Sequence, residues 1–177
     1  MEATAAHSLA RAMMPALGRR WIHVQAVAKA AGSLADGLLD SDRDTLVAAA
    51  WLHDVGYVPD LAHTGFHPLD GARFLQAERF PTVIVDLVAY HSGALFEAHE
   101  RGLVDELSDF VAPPDDLLRR LTAADMTTGP NGARVSARAR IAEILTRYPS
   151  NDPVHRAVAR SGPSLIEVVE QIDADSR

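Results

Sequence analysis

The chain contains no cysteine, which excludes disulfide bonds, thiolate metal ligands and a cysteine nucleophile. Basic residues are also scarce, because 17 Lys and Arg face 24 Asp and Glu and leave a net charge of −7. A general nucleic-acid binder needs a basic face, so we expect no nucleic-acid polymer as a partner. A small anionic substrate fits this balance, since a bound metal ion would add positive charge that the composition does not count.

Long apolar segments are missing as well. The longest uninterrupted apolar run is Leu46 to Leu52, far below the ~20 residues that span a bilayer. The segment Met1 to His7 lacks the basic start and the apolar stretch of a secretory signal. We therefore expect a cytoplasmic protein with no membrane partner. The length of 177 residues predicts one domain over residues 1–177, and it is compatible with a homo-oligomer.

Strand patterns are rare, because β-branched residues do not alternate with polar ones over any useful length. Apolar residues recur instead at spacings of three and four, which predicts an all-α protein, a compact helical bundle. The predicted helices are 8–17, 20–38, 43–54, 68–78, 82–91, 116–126, 134–148, 154–160 and 164–173. The long connection from Val55 to His67 is unusual for a bundle and suggests a functional loop.

Several titratable residues lie on the apolar faces of these helices. Residues three, four and seven apart share a helix face, which places His23 with Val27 and Leu34, and Asp125 with Leu118 and Leu121. Similar apolar neighbours surround three more such residues, namely His53, Asp54 and His91. A buried carboxylate needs a cation, strong hydrogen bonds or a raised pKa, and almost no basic side chain shares these faces.

Taken singly, each of these histidines is more simply a core residue bound to a backbone carbonyl. Each aspartate is likewise more simply an ion-pair or capping partner. Three histidines and two carboxylates on inward faces are better explained by one shared site. Imidazole and carboxylate together suit a divalent cation such as iron, manganese, zinc, cobalt or nickel. The alternative is a buried polar network without a metal.

His67 precedes Pro68, which suits the first position of a helix, so we predict His67 as the N-cap residue. Positive charge is unfavourable at a helix N-terminus. The imidazole would then stay neutral and free to bind a metal. The alternative is a plain capping or turn residue.

The ordered residues now point to a family. They are Arg20-x-x-His23, Trp51-Leu52-His53-Asp54-Val55-Gly56, His91 and Ala123-Ala124-Asp125. This set resembles the HD superfamily of metal-dependent phosphohydrolases. The resemblance implies a helical HD-type domain with a motif-bearing core over residues 20–126 and C-terminal helices, 134–173, packed on it. It also implies a set of ligands for one metal, namely His23, His53, Asp54 and Asp125.

His67 and His91 resemble the additional histidines of the two-metal branches, which implies two divalent ions. In that arrangement Asp54 bridges the ions, and a water activated between them attacks a nucleotide or another small phosphoester. Asp54 and His53 are then the catalytic residues. Arg20, one turn before His23, is our candidate for binding the substrate phosphate, although an exposed helix-end arginine is an equal alternative.

Arg73 is a weaker candidate for the same contact. The remaining histidines are interpreted as surface residues, with His63 in the loop near the site; they are His7, His63, His99 and His155.

Within the superfamily, the stretch Tyr90-His91-Ser92-Gly93 and the run Leu121 to Pro130 are similar to bacterial enzymes that cleave diadenosine tetraphosphate symmetrically. The residues after Asp125, Met126-Thr127-Thr128-Gly129-Pro130, depart from that pattern, so this substrate is not carried over. The paired histidines and the Gly-Tyr-Pro signature of cyclic-di-GMP phosphodiesterases are missing. Two alternatives stay open: a dinuclear-iron oxygenase that uses the same ligands, and a non-catalytic nucleotide-sensing module.

Overall fold

The computed structural model describes residues 2–175, which form ten α-helices and no β-strand. The helices are α1 Glu2–Met13, α2 Arg19–Leu34, α3 Asp40–Leu52, α4 His67–Ala77, α5 Thr82–Tyr90, α6 Ala94–Arg101, α7 Val104–Leu107, α8 Asp115–Met126, α9 Ala137–Arg147 and α10 Pro153–Asp175. Short 3-10 turns lie at Pro15–Leu17, Val55–Tyr57, Pro59–Leu61 and His91–Gly93. The all-α prediction is confirmed.

Helix α3 lies at the centre of the bundle and packs against α1, α2, α5 and α8. Its side chains Leu46, Ala49 and Leu52 are fully buried. Small alanine side chains let neighbouring helices approach α3 closely from several directions. The end of α3 therefore lies deep in the molecule, and the His53-Asp54 pair follows it directly.

The C-terminal helices pack on the other face of α8. Helix α10 contacts α6, α8 and α9, and a second apolar cluster joins Met126 of α8 to Ile141 of α9 and Leu165 of α10. This packing brings α9 and α10 beside Asp125. The organisation as one domain stays a prediction, and its outer bounds, residues 1 and 177, lie outside the described residues.

Two helix predictions near the C-terminus are wrong. The segments 154–160 and 164–173 form the single helix α10, with Pro163 inside it. A proline inside a helix costs about 3 kcal/mol, because it removes a hydrogen bond and crowds the preceding turn. Burial of Ala157, Leu165 and Val169 on both sides of Pro163 offsets that cost.

Other elements also differ from the prediction. Helix α1 begins at Glu2 rather than at residue 8, and residues 15–17 form a separate 3-10 turn after it. Helices α6 and α7 were not predicted at all, because α6 buries only Ala94 and Ala98 and α7 is a single turn. So little apolar surface leaves a weak periodic signal in the sequence.

The loop from Val55 to Phe66 is held tightly against α4. The carboxylate of Asp70 accepts hydrogen bonds from the backbone N–H and the hydroxyl of Thr64, at 3.0 to 3.1 Å. Gly56 packs directly on the first turn of α4, where an added Cβ would lie 2.1 Å from the carbonyl oxygen of His67. The glycine thus allows His67 to lie beside the His53-Asp54 pair. No helix in the described part of the chain is long and apolar enough to cross a membrane.

Candidate metal centre

The structure brings the six predicted metal-binding residues together at the centre of the bundle. His23 lies in α2, His53 and Asp54 follow α3, and Asp125 lies in the last turn of α8. The remaining two, His67 and His91, lie at the start of α4 and directly after α5. All are buried except His67, whose side chain is 15 % exposed.

Backbone carbonyls orient the imidazole rings. Nδ1 of His53 lies 2.8 Å from the carbonyl oxygen of Ala50, and Nδ1 of His91 lies 2.7 Å from that of Val88. Because a carbonyl oxygen only accepts, each Nδ1 carries the proton, and in the neutral ring the Nε2 lone pair is left free. Metal-binding histidines are commonly held in this way, with the second nitrogen bound to a carbonyl or carboxylate.

Nε2 of His53 is the least satisfied atom of this centre. It is fully buried and has no hydrogen-bond partner among the described residues. Its nearest charged neighbour is Oδ2 of Asp54 at 3.6 Å, and neither atom has a proton to share with the other. A buried acceptor without a partner is costly, and a cation between the two atoms would satisfy both.

The carboxylate of Asp54 faces both halves of the centre. Oδ2 accepts a 2.7 Å hydrogen bond from Nη1 of Arg20, and Oδ1 lies 3.4 Å from Nε2 of His67. Burial raises the pKa of Asp54, but its electrostatic interactions with His53 and with the Arg20 guanidinium outweigh burial and hold the pKa well below its ordinary value. Asp54 is therefore ionised.

This ion pair corrects the expectation that almost no basic side chain shares the apolar faces. Arg20 lies within the centre, but its guanidinium binds Asp54 and lies 3.3 Å above the ring of Tyr57. Its carboxylate partner comes from the turn after α3, 34 residues away, which the pattern along α2 does not reveal. The guanidinium supplies the positive charge that a buried carboxylate needs.

His67 is the first residue of α4, and Phe66 is the N-cap, so the predicted cap position is wrong by one residue. Its ring stacks on Tyr57 with 4.1 Å between the centroids. Burial lowers the pKa of His67 well below its ordinary value, so the ring is neutral as expected, although the cause is desolvation rather than the helix N-terminus.

Asp125 is held from two sides. Oδ1 lies 3.1 Å from Nε2 of His23, and Oδ2 accepts a 2.5 Å hydrogen bond from the hydroxyl of Ser92. Ser92 has a φ of +49°, in the left-handed region. The prediction that the fifth helix includes His91 is wrong, because α5 ends at Tyr90 and this strained turn follows.

Two groups of ligand atoms are close enough to hold a metal ion. One atom from each of His23, His53 and Asp54 lies within 4.8 Å of the others, and the same is true of Asp54, His67 and His91. Asp54 belongs to both groups. Asp125 adjoins the first group through its contact with His23.

A family model described as HD domain matches residues 20–148. The chain belongs to the HD domain family. This membership places the chain in the superfamily of metal-dependent phosphohydrolases, and its His and Asp cluster is compatible with metal binding. No curated protein and no solved structure matches the chain.

The HD domain centre opens into a cleft with a cavity volume of about 100 Å³. Its walls include three residues that the sequence did not indicate, Arg140 and Arg147 of α9 and Tyr148 behind it. In the sequence these arginines look like ordinary surface charges of an amphipathic helix. Only the packing of α9 beside α8 shows that they face the cleft.

Arg73 does not line this cleft. It is exposed and lies in a different groove with His63 and Phe74, so its contact with substrate stays a prediction. His63 and His99 are exposed, as interpreted from the sequence.

His7 and His155 are half-buried, which corrects their interpretation as surface residues. The ring of His7 packs on Trp51 with 4.4 Å between the centroids, and Nδ1 of His155 donates to the carbonyl oxygen of Tyr148 at 2.9 Å. The first contact joins α1 to the distant α3 and the second joins α10 to the residue that follows α9, and the pattern along a single helix indicates neither.

Proposed function

We propose that this HD domain is a metal-dependent phosphohydrolase that cleaves a nucleotide or another small phosphoester. The observation that carries the proposal is the buried, unpartnered Nε2 of His53, which faces an ionised carboxylate across 3.6 Å. Neither a core histidine nor a metal-free polar network accounts for that atom, because buried polar atoms are normally satisfied. A divalent cation accounts for it directly.

The residues that would hold the metal fall into two sets that share Asp54. The first set is His23, His53, Asp54 and Asp125, and the second set is Asp54, His67 and His91. Neutral imidazoles and carboxylates suit iron, manganese, zinc, cobalt or nickel. Because Asp54 has one oxygen near each set, we propose two ions.

A divalent cation bound here supplies Lewis-acid activation of a phosphoryl oxygen and lowers the pKa of a water molecule. The chain contributes the surroundings for that chemistry. Asp54 and His53 are the proposed catalytic residues, because Asp54 lines the floor of the cleft and Nε2 of the fully buried His53 lies 3.6 Å from its Oδ2. Arg20, 27 % exposed, lies between this floor and the solvent, where its guanidinium can exchange Asp54 for a substrate phosphate.

The lining of the cleft also includes apolar side chains, which support an organic substrate. They are Ile144 of α9 and Val158 and Leu165 of α10, and Tyr148 lines the same cleft. Apolar and aromatic side chains stabilise a bound organic group by burying its surface. These side chains suit the base of a nucleotide or a similar apolar group, rather than an inorganic polyphosphate.

The test uses full-length protein purified without chelator, loaded with manganese and kept free of oxygen. A panel of nucleoside mono-, di- and triphosphates, diadenosine tetraphosphate and simple aryl phosphates is followed by phosphate release. We expect hydrolysis of at least one organic phosphoester, and its loss in His53→Ala. His63→Ala is the matched control, because His63 is exposed and lies outside the cleft.

Two outcomes would contradict the proposal. Oxygen consumption by the iron-loaded protein, without phosphate release under any condition, would favour the dinuclear-iron oxygenase. Nucleotide binding without turnover in any metal form would favour the sensing module.

A further inference from the structure

A second unsatisfied polar atom lies beside the metal centre. Nε of Arg140 is buried and has no hydrogen-bond partner among the described residues. The side chain is 11 % exposed. A buried guanidinium donor without an acceptor is costly, so such donors are normally bound to a carboxylate, a carbonyl or a ligand.

The bond that Arg140 does make leaves one edge of its guanidinium free. Nη1 donates to Oε2 of Glu143 at 2.6 Å, and this is the only hydrogen bond of the side chain within residues 2–175. Nη1 lies on the Cδ side of the guanidinium, so the free donors, Nε and Nη2, point to the same side as a parallel pair. Such a pair matches two oxygens of a phosphate group.

Glu143 restricts the position of this guanidinium. It accepts from Arg140 and also from Arg147, one turn later, at 2.5 to 2.9 Å. A guanidinium held at one nitrogen loses less rotamer freedom when a ligand binds the opposite edge. Glu143 thus fixes Nη1 of Arg140, whereas Nε is covered by protein atoms and meets a ligand only when the guanidinium turns about that contact.

The place of Arg140 in the molecule fits an anion site. It lines the cleft above the metal centre together with Arg20 and His23. A second opening reaches these same residues and adds Arg19 to its walls, and Arg147 lines both openings. Four arginines therefore surround this part of the cleft in a chain whose net charge is −7.

We propose that Arg140 binds a phosphate group of the substrate through its Nε and Nη2 atoms, with Glu143 as the residue that positions it. The inference rests on the proposed function for the identity of the substrate, but binding of phosphate itself can be measured without turnover. A lysine cannot replace this arginine, because an ammonium group has no parallel pair of donors.

The direct test is calorimetric titration of inorganic phosphate into the manganese-loaded full-length protein. We expect Arg140→Gln to weaken phosphate binding by about 10- to 100-fold, the range for two lost hydrogen bonds of ordinary net strength. Arg140→Lys should also weaken binding, and the rise in the logarithm of its dissociation constant should be more than half of the rise for Arg140→Gln. Glu143→Gln should weaken binding less than Arg140→Gln, since it removes only the positioning contact.

The matched control is Arg138→Gln. Arg138 lies on the same helix, is 72 % exposed and pairs with Glu170. The Arg138→Gln variant should bind phosphate with the affinity of the wild type. Thermal melts and metal content of each variant show whether the fold and the metal centre are intact. With a substrate from the phosphoester screen, Arg140→Gln should raise KM by a similar factor, whereas a merely structural role would change stability and leave KM unchanged.

The two proposals fail in different ways. A wild type that hydrolyses a phosphoester, with unchanged phosphate affinity and KM in a folded Arg140→Gln variant, would overturn the role of Arg140 and leave the proposed function standing. A wild type that binds phosphate through Arg140 but hydrolyses nothing would support the role and contradict the function. Failure of the wild type to bind inorganic phosphate at ~10 mM, about 2.7 kcal/mol of affinity, would overturn the role of Arg140.

Discussion

Nε2 of His67 lies 3.3 Å from Nε2 of His91. Nδ1 of His91 donates to the carbonyl oxygen of Val88, so Nε2 of this ring carries a lone pair when the ring is neutral. Two facing ring nitrogens need either one shared proton or a cation between them. Because both rings also face Asp54, this pair decides whether the centre holds one ion or two.

We expect two metal ions per chain in the wild type and one in His67→Ala. Removing the His67 ring leaves the second set with only Asp54 and His91, which is too few protein ligands for tight binding. The measurement is elemental analysis of protein purified without chelator. His63→Ala, on an exposed histidine of the adjacent loop, is the control and should keep both ions. One ion per chain in the wild type, unchanged by His67→Ala, would reduce His67 to a helix-start residue.

Asp54→Ala should abolish hydrolysis and the stabilisation of the protein by metal. Bound metal stabilises the wild type by about 2.7 kcal/mol when its free concentration is a hundredfold above the dissociation constant. Thermal melts with and without chelator should show this shift in the wild type and not in the variant. A variant that keeps both the chelator-sensitive shift and the activity would make Asp54 a structural residue.

In the metal-free protein, the same substitution should lower stability. The pKa of Asp54 is depressed in the folded state, so the carboxylate contributes stability above its unfolded pKa, and that contribution is present at pH 7. Loss of its contact with the partly exposed Arg20 should cost about 1–3 kcal/mol. Asp54→Asn, which keeps an acceptor for Arg20, should cost less. A metal-free Asp54→Ala protein as stable as the wild type would contradict this reading of the ion pair.

Ser92 combines a strained backbone with a hydrogen bond to Asp125. Ser92→Ala should lower metal affinity by about 10- to 100-fold, the usual effect of removing a group that orients a metal ligand. Ser92→Gly should lower metal affinity by the same factor. It should be about 1 kcal/mol more stable than Ser92→Ala, because glycine adopts a φ of +49° without strain. Calorimetry and melts measure the two effects, with the exposed Ser33→Ala as control. Unchanged affinity in both variants would show that Ser92 does not orient Asp125.

Gly56→Ala should be severely destabilising, by at least about 3 kcal/mol, since the new Cβ would lie 2.1 Å from the carbonyl oxygen of His67. The first turn of α4 would have to move away from the turn Val55–Tyr57 and take His67 with it. Gly32→Ala is the matched control, because nothing lies within 4 Å of its added Cβ. As a helix-interior position, it should gain up to about 1 kcal/mol. Urea unfolding measures both, and equal stabilities would contradict the tight packing at Gly56.

The sequence by itself determined the helical class and the residues of the centre. Helical periodicity is a property of neighbouring residues, so spacings of three and four were enough to predict most helices and their inward faces. The same spacings placed polar residues such as His23 and Asp125 among apolar neighbours, where only a special chemical reason keeps them. The ordered motif then indicated the HD superfamily, which the match over residues 20–148 bears out.

Only the tertiary structure decided which groups meet. His23 and Asp125 are 102 residues apart, and no local pattern predicts that Nε2 of His23 lies 3.1 Å from Oδ1 of Asp125. The pairing of Arg20 with Asp54 and the free edge of Arg140 likewise depend on how α2, α8 and α9 pack. Side chains on one helix face point toward the core, but the partner they find there is set by the packing of the whole bundle.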